Sequence, residues 1–155
     1  MAYHKLITKF IASFFFVGYL PLIPGTFGSA AGLVIYYLLR HRLTDIFFVT
    51  VLVTIIGFWV SSEAEKVFGK KDDRRIVIDE VSGMLISLLF LPYDIRFIVC
   101  GFLLFRIMDT LKPYPACALQ RLKGGAGVML DDVVAGIYTN IVLQLVLRLA
   151  AFKTS

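Results

Sequence analysis

Five carboxylates, Asp79, Glu80, Asp109, Asp131 and Asp132, stand at the edges of apolar segments in a chain of 155 residues. No other feature constrains the fold as tightly. A charged side chain beside or within a bilayer costs a contested ~2.5–3.5 kcal/mol at a helix centre on insertion scales, so such positions are kept for function. Acids brought together also repel. At an effective dielectric of 20, two such charges 4 Å apart cost roughly 4 kcal/mol. A hard divalent cation relieves both costs, because Mg²⁺ takes one or two carboxylates together with phosphate oxygens and waters. The pattern points to metal-assisted chemistry on a phosphate at a membrane surface.

Composition agrees. Hydrophobic residues make up 59% of the chain and charged ones 17%, against about 45–50% and 25% in soluble domains. A soluble monomer would have to expose large apolar patches, and insertion into a lipid bilayer is the simpler solution. The length suits one domain over residues 1–155, with an N-terminal segment over 1–24 and a helical core over 25–151. The net charge of +5 is clustered, which favours anionic head groups at a cytoplasmic face. No nucleic-acid motif accompanies it, so nucleic acid is not an expected partner. Cys100 lies in an apolar run and reads as a small buried hydrophobe; Cys117 has no Cys or His at metal spacing, and no disulfide framework is implied. His4 and His41 are isolated and read as interfacial polar residues.

The apolar runs are Leu6–Leu22, Phe27–Leu39, Ile46–Val60, Val81–Leu91, Ile95–Met108 and Val133–Ala151. None alternates with period two, so strands are not expected. The chain is predicted to be all-α, an integral membrane protein with about four to six apolar helices, some short of the ~20 residues needed to cross alone. Leu6–Leu22 reads as an interfacial or re-entrant helix, with a full span as the alternative. If the last five runs cross in alternation, Pro24–Ser29, Ser61–Glu80 and Asp109–Asp132 share one face. That face collects Lys66, Lys70, Lys71, Arg74, Arg75, Lys112, Arg121 and Lys123; the other has Arg40, Arg42 and Lys153, with Arg96 and Arg148 near it. The positive-inside rule places the first face, and all five carboxylates with it, in the cytoplasm.

Four stretches carry the chemistry. Asp79-Glu80 leads into an apolar helix, where one acid would serve as a cap but two exceed what a cap needs. Arg106 and Asp109-Thr110-Leu111-Lys112-Pro113 put Asp109 and Lys112 on one helical face before a proline stop. As a surface ion pair they would contribute little; as a site, Asp109 faces a metal while Lys112 or Arg106 meets phosphate oxygens. Lys123-Gly124-Gly125-Ala126-Gly127 reads as a flexible loop able to turn its N–H groups toward an anion, with Asp131-Asp132 opening the last helix. A glycine-rich loop alone is more often a linker; the acid pair after it makes the stretch more specific. Gly25-Thr26-Phe27-Gly28-Ser29 reads first as a helix cap, with phosphate contact by its hydroxyls and N–H groups as the functional alternative. Lys70–Arg75 is a mixed charge run that reads as solvated loop, with weak attraction to a lipid surface.

Taken in order, these motifs resemble the phosphatidylglycerophosphatase A family of bacterial membrane lipid phosphatases. The resemblance runs from Gly25 to Gly136 through Gly25–Ser29, Val77–Gly83, Arg106–Asp109 with Lys112–Pro115, and Lys123–Gly136. Val81 stands where the family often has an aromatic, and Phe27 where it has Trp; neither change removes a ligand. The resemblance implies Mg²⁺-dependent hydrolysis of phosphatidylglycerophosphate in anionic phospholipid synthesis, in a multi-pass protein of the bacterial inner membrane whose site faces the cytoplasm.

The expected catalytic residues are Glu80, Asp109, Asp131 and Asp132. Metal ligands are expected among Asp79, Glu80, Asp109, Asp131 and Asp132. Substrate contacts are expected from Thr26, Gly28, Ser29, Arg106, Lys112 and Lys123. A carboxylate off the metal would orient the attacking water; an aspartyl-phosphate on Asp109 or Asp131 is the less favoured route. The alternatives are action on another lipid phosphate, such as a polyprenyl phosphate, or a non-enzymatic protein that binds anionic lipid. The oligomeric state stays open.

Overall fold

Apolar side chains without strand periodicity fold into seven α-helices, and no strand occurs among the described residues. The computed structural model describes residues 2–153, with side chains from 3 to 149. Met1, Thr154, Ser155 and the side chain of Lys153, counted above on the far face, lie outside the described residues. The elements are α1 (Ala2–Ala12), a 3-10 turn (Val17–Tyr19), α2 (Pro24–Leu39), α3 (Leu43–Phe68), α4 (Ile78–Leu88), α5 (Ile95–Leu111), α6 (Ala116–Leu119) and α7 (Gly125–Lys153). By length and composition, α3 and α7 can each cross a membrane.

The central helix is α4, packed against α2, α3, α5 and α7. Its 11 residues rise only about 16 Å, well short of a hydrocarbon core of ~30 Å. Val81, Met84, Leu85 and Leu88 form the core with Tyr36, Ile46, Phe105 and Leu143. Glycine lets α7 lie directly on α4: a Cβ on Gly136 would meet the Gly83 carbonyl oxygen at 2.5 Å, and one on Gly83 would meet the Asp132 carbonyl oxygen at 2.8 Å. Small residues at such crossings permit backbone approach.

A helix that stops inside a bundle leaves its last carbonyls without partners. Here α7 and α2 supply them. Asn140 Nδ2 donates to the Ser87 and Leu89 carbonyls at 3.1 and 2.8 Å. Gln144 Nε2 donates to those of Leu89 and Phe90 at 3.4 and 3.3 Å. The Tyr36 hydroxyl donates to Leu91 at 3.2 Å.

Several boundaries differ from expectation. Leu6–Leu22 is not one helix. The Ser13 hydroxyl donates to the Lys9 carbonyl at 2.6 Å and accepts the Phe16 N–H at 3.2 Å, drawing the backbone out of the helix. Phe14, Phe15 and Phe16 then turn through left-handed φ of 44°, 57° and 66°. The turn lets the Ala12 carbonyl accept the N–H of Val77, the residue just before α4, at 3.0 Å. Helix α3 runs past Val60 to Phe68 and ends at Gly69, whose φ of 70° is a glycine stop. Cys100 is exposed rather than buried, because α5 turns that side of its surface outward. His4 and His41 are exposed.

Two outcomes test this account. Asn140→Ala strips the Ser87 carbonyl of its side-chain donor and should cost ~1–3 kcal/mol, read as a lower denaturation temperature in detergent; an unchanged temperature contradicts it. At the far end, Asp94 caps α5 by accepting the Arg96 N–H. Hydrogen bonds from the Arg96 side chain and backbone hold its carboxyl down at about 2. A lowered native value gives stability present above the unfolded value of ~3.9 and lost as pH falls toward the native one. The denaturation temperature of the parent should therefore fall more steeply than that of Asp94→Asn between about pH 4 and pH 2; parallel curves contradict it.

Candidate active site

Helix ends gather where the acids lie. Gly28 at the start of α2 is buried beside Val77, with the Val77 carbonyl oxygen 3.0 Å from where its Cβ would be. The Gly125 N–H at the start of α7 donates to Ser62 Oγ near the end of α3 at 2.6 Å. Lys112, just past α5, reaches Asp131 on α7.

Asp79 and Glu80 occupy the first turn of α4, where the helix dipole favours negative charge. They are not caps: the N-cap is Val77, and no side chain caps the turn. On α7, Asp132 lies where the helix backbone meets Gly83. Carboxylate oxygens of Asp79, Glu80 and Asp132 all lie within 4.8 Å of one another. Asp79 and Asp132 are buried and Glu80 half-buried. Asp79 Oδ1, Glu80 Oε2 and Asp131 Oδ1 are buried with no hydrogen-bond partner among the described residues.

The other two acids are paired. Arg106 Nη1 lies 2.9 Å from Asp109 Oδ2 and donates to Ser29 Oγ at 3.3 Å; Ser29 in turn donates to the Gly25 carbonyl at 3.0 Å. Gly25 leaves room for this constellation, because a Cβ there would meet Glu80 Oε1 at 2.5 Å. The Asp109–Lys112 face expected from spacing does not form an ion pair. Lys112 leaves the helix with φ of 45°, and its ammonium pairs with Asp131 Oδ2. Burial alone would lower the Lys112 pKa. The hydrogen bond and charge of Asp131, with the charges of Asp132 and Asp109, outweigh it and raise the value.

Of the remaining residues, Thr26 is half-buried in the first turn of α2. Lys123 is exposed and makes no ion pair or hydrogen bond among the described residues, so it is not drawn to the acids. The glycine-rich stretch is not an anion-facing loop. Gly124 takes φ of 67°, and α7 begins at Gly125, so Asp131 and Asp132 lie well inside the helix rather than opening it. The Gly127 N–H donates to the Gly124 carbonyl at 2.9 Å, and the Gly125 N–H is taken by Ser62. Ser62 was not singled out in the sequence, where it is one hydroxyl of a Ser-Ser pair with no motif around it.

The charge run also departs from a plain solvated loop. Asp73 is buried, and hydrogen bonds from Arg75 lower its carboxyl below the usual range. Asp72 accepts from Gln120 Nε2 at 3.0 Å, and Lys71 donates to the Arg121 carbonyl at 3.3 Å, tying this loop to the two residues that follow α6.

Lys112→Met should leave Asp131 buried and uncompensated. The expected loss is about 2–3 kcal/mol, below the ~3–5 of a fully buried pair because the Lys112 side chain keeps 25% exposure. Adding Asp131→Asn should restore most of it in thermal unfolding. No loss in the single variant contradicts the pairing.

The family model described as phosphatidylglycerophosphatase A matches residues 10–147. An Escherichia coli protein named phosphatidylglycerophosphatase A is 36% identical over 132 residues, covering 83% of this chain and 77% of its own. A Haemophilus influenzae protein of the same name is 37% identical over 124 residues, covering 77% and 76%. A Bacteroides thetaiotaomicron protein, provisionally named a phosphatidylinositol-3-phosphatase, is 37% identical over 135 residues, covering 81% and 84%. No solved structure matches. With its motifs in order and these relatives along most of its length, the chain belongs to the phosphatidylglycerophosphatase A family and is a phosphatase.

Proposed function

We propose that this protein hydrolyses phosphatidylglycerophosphate to phosphatidylglycerol and phosphate, using Mg²⁺, at the cytoplasmic face of a bacterial inner membrane. One observation carries the reading. Arg106 and Lys112 pair with Asp109 and Asp131, and of the five acids the three with no ion pair among the described residues are those whose oxygens lie within 4.8 Å. Unpartnered buried oxygens on Asp79 and Glu80 fit a hard cation that takes only oxygen ligands. Asp79, Glu80 and Asp132 would hold it. Bound there, Mg²⁺ would withdraw charge from the phosphoryl oxygens.

The chain's own residues do the rest. Arg106 and Lys112 hold phosphate oxygens and stabilise the charge that grows on them. Ser29 orients Arg106 through the hydrogen bond it accepts. Asp109 takes a proton from the attacking water as the water oxygen bonds to phosphorus, and returns it to the glycerol oxygen as the ester bond breaks. The names of the Escherichia coli and Haemophilus influenzae relatives favour this substrate.

Membrane insertion is supported by α3 and α7 and by exposed apolar side chains along α2, α3, α5 and α7, such as Val34, Leu52, Leu103 and Leu145. The cytoplasmic orientation is supported by Lys66, Lys70, Lys71, Arg74 and Arg121 near the site end, against Arg40, Arg42 and Arg96 at the other. A phosphoinositide substrate is the second reading, favoured by the Bacteroides relative.

Purified protein in detergent should release phosphate from phosphatidylglycerophosphate with Mg²⁺, stop with EDTA and recover when Mg²⁺ is restored. Asp132→Asn should lose on the order of 10²–10³-fold in kcat with no fall in denaturation temperature. Faster turnover of phosphatidic acid or phosphatidylinositol 3-phosphate contradicts the substrate, and full activity in EDTA contradicts the metal.

A further inference from the structure

We infer that the outward face of α5 seats one acyl chain of the lipid whose phosphate is hydrolysed; this rests on the function proposed above. A shallow, open recess of about 390 Å³ along that face is lined by Leu103, Ile107, Thr110 and Leu111, with Arg106 as its only charged lining residue. Arg106 also belongs to the acid cluster, through Asp109 and Ser29, so the recess begins where a head-group phosphate would be held. Leu103 and Ile107 are shared with a second recess of about 590 Å³ between α5 and α7, which continues past Val146 to Arg96. Together they make one apolar track with a guanidinium at its head.

The dimensions fit a chain in one leaflet. From Arg106 to Leu103 the helix rises about 4.5 Å, and from Arg106 to Arg96 about 15 Å. One leaflet of hydrocarbon is roughly 15 Å deep. An acyl chain descending from a head group at Arg106 therefore runs its full depth within the track. Leu103, Ile107 and Leu111 are 56%, 50% and 71% exposed, so the track is open to a lipid arriving sideways. A third cavity, of about 370 Å³ between α1 and α3, is walled by Ile7, Ile11 and Trp59 with His4 and Glu63. It touches none of the site residues, so the two differ in continuity with the site and not in greasiness.

The test fills the track without removing apolar surface. Ile107→Trp should raise KM for dipalmitoyl phosphatidylglycerophosphate about tenfold, equivalent to ~1.4 kcal/mol, with kcat kept, as expected for loss of uniform binding. The dihexanoyl analogue should change less than about twofold, because its short chains use little of the track. Leu52→Trp, at a comparably exposed position on α3, should change neither. Equal effects on both chain lengths, an equal effect from Leu52→Trp, or no effect overturns the inference.

A second readout does not depend on turnover. Phosphatidic acid carrying a diazirine in one acyl chain, in detergent micelles, should crosslink to peptides spanning Leu103–Leu111. Labelling spread over α2 and α3, or confined to the α1–α3 cavity, overturns the inference. Hydrolysis of a different lipid phosphate with this labelling intact would reverse only the proposed substrate and leave the acyl track standing.

Discussion

Mutual repulsion among buried carboxylates is the constraint around which this structure is organised. Five acids converge at one end of the bundle, and the protein supplies two cations to match them, Arg106 and Lys112. The matching is selective. Each cation takes an acid outside the closest cluster, so Asp79, Glu80 and Asp132 stay together with no ion pair among the described residues. A fold selected for stability alone would place a third cation there or spread the acids apart, because the repulsion is worth kilocalories at these separations. The proposed cation site rests on that deficit.

The α4–α7 contact holds the acids in place, and its register is regular. Asp79, Gly83 and Ser87 recur every four residues along α4, and Asp132, Gly136 and Asn140 do the same along α7, so each set lies along one side of its helix. The pairs match in order: acid with acid at the site, glycine with glycine at the crossing, and the Asn140 amide on the Ser87 carbonyl below. One helix face thus builds the charged cluster at its top and closes the hydrogen bonds of a truncated helix at its bottom. Shortening α4 lets its N-terminal acids sit level with Arg106 and Lys112, and Asn140, Gln144 and Tyr36 offset the cost of ending it inside the bundle.

Much of this was legible in the residues. The absence of period-two alternation pointed to the helical class, and the acid pairs beside apolar runs pointed to a shared cluster, of which Asp79, Glu80 and Asp132 lie within 4.8 Å of one another. What stayed hidden was set by tertiary contact. The break after Ala12 needs the Ser13 hydroxyl and three left-handed phenylalanines, a conformation no propensity favours. Glycines 124, 125 and 127 suggested a loop, yet Gly125 and Gly127 are there because Phe58 and Leu122 backbones press on them. Lys112 was read on the face of Asp109, and its turn out of the helix gave it to Asp131 instead. Asn140 and Gln144 lay in an apolar run without a motif, and only the end of α4 explains them.

The central claim is that Asp79, Glu80 and Asp132 together take one divalent cation. Electron paramagnetic resonance of Mn²⁺ added to the purified protein in detergent measures this directly, as bound ion per chain. The account predicts saturable binding that Mg²⁺ displaces, and loss of that binding when Asp79 or Asp132 is changed to Asn while Asp109→Asn retains it. Undiminished Mn²⁺ binding in Asp79→Asn and Asp132→Asn would contradict it.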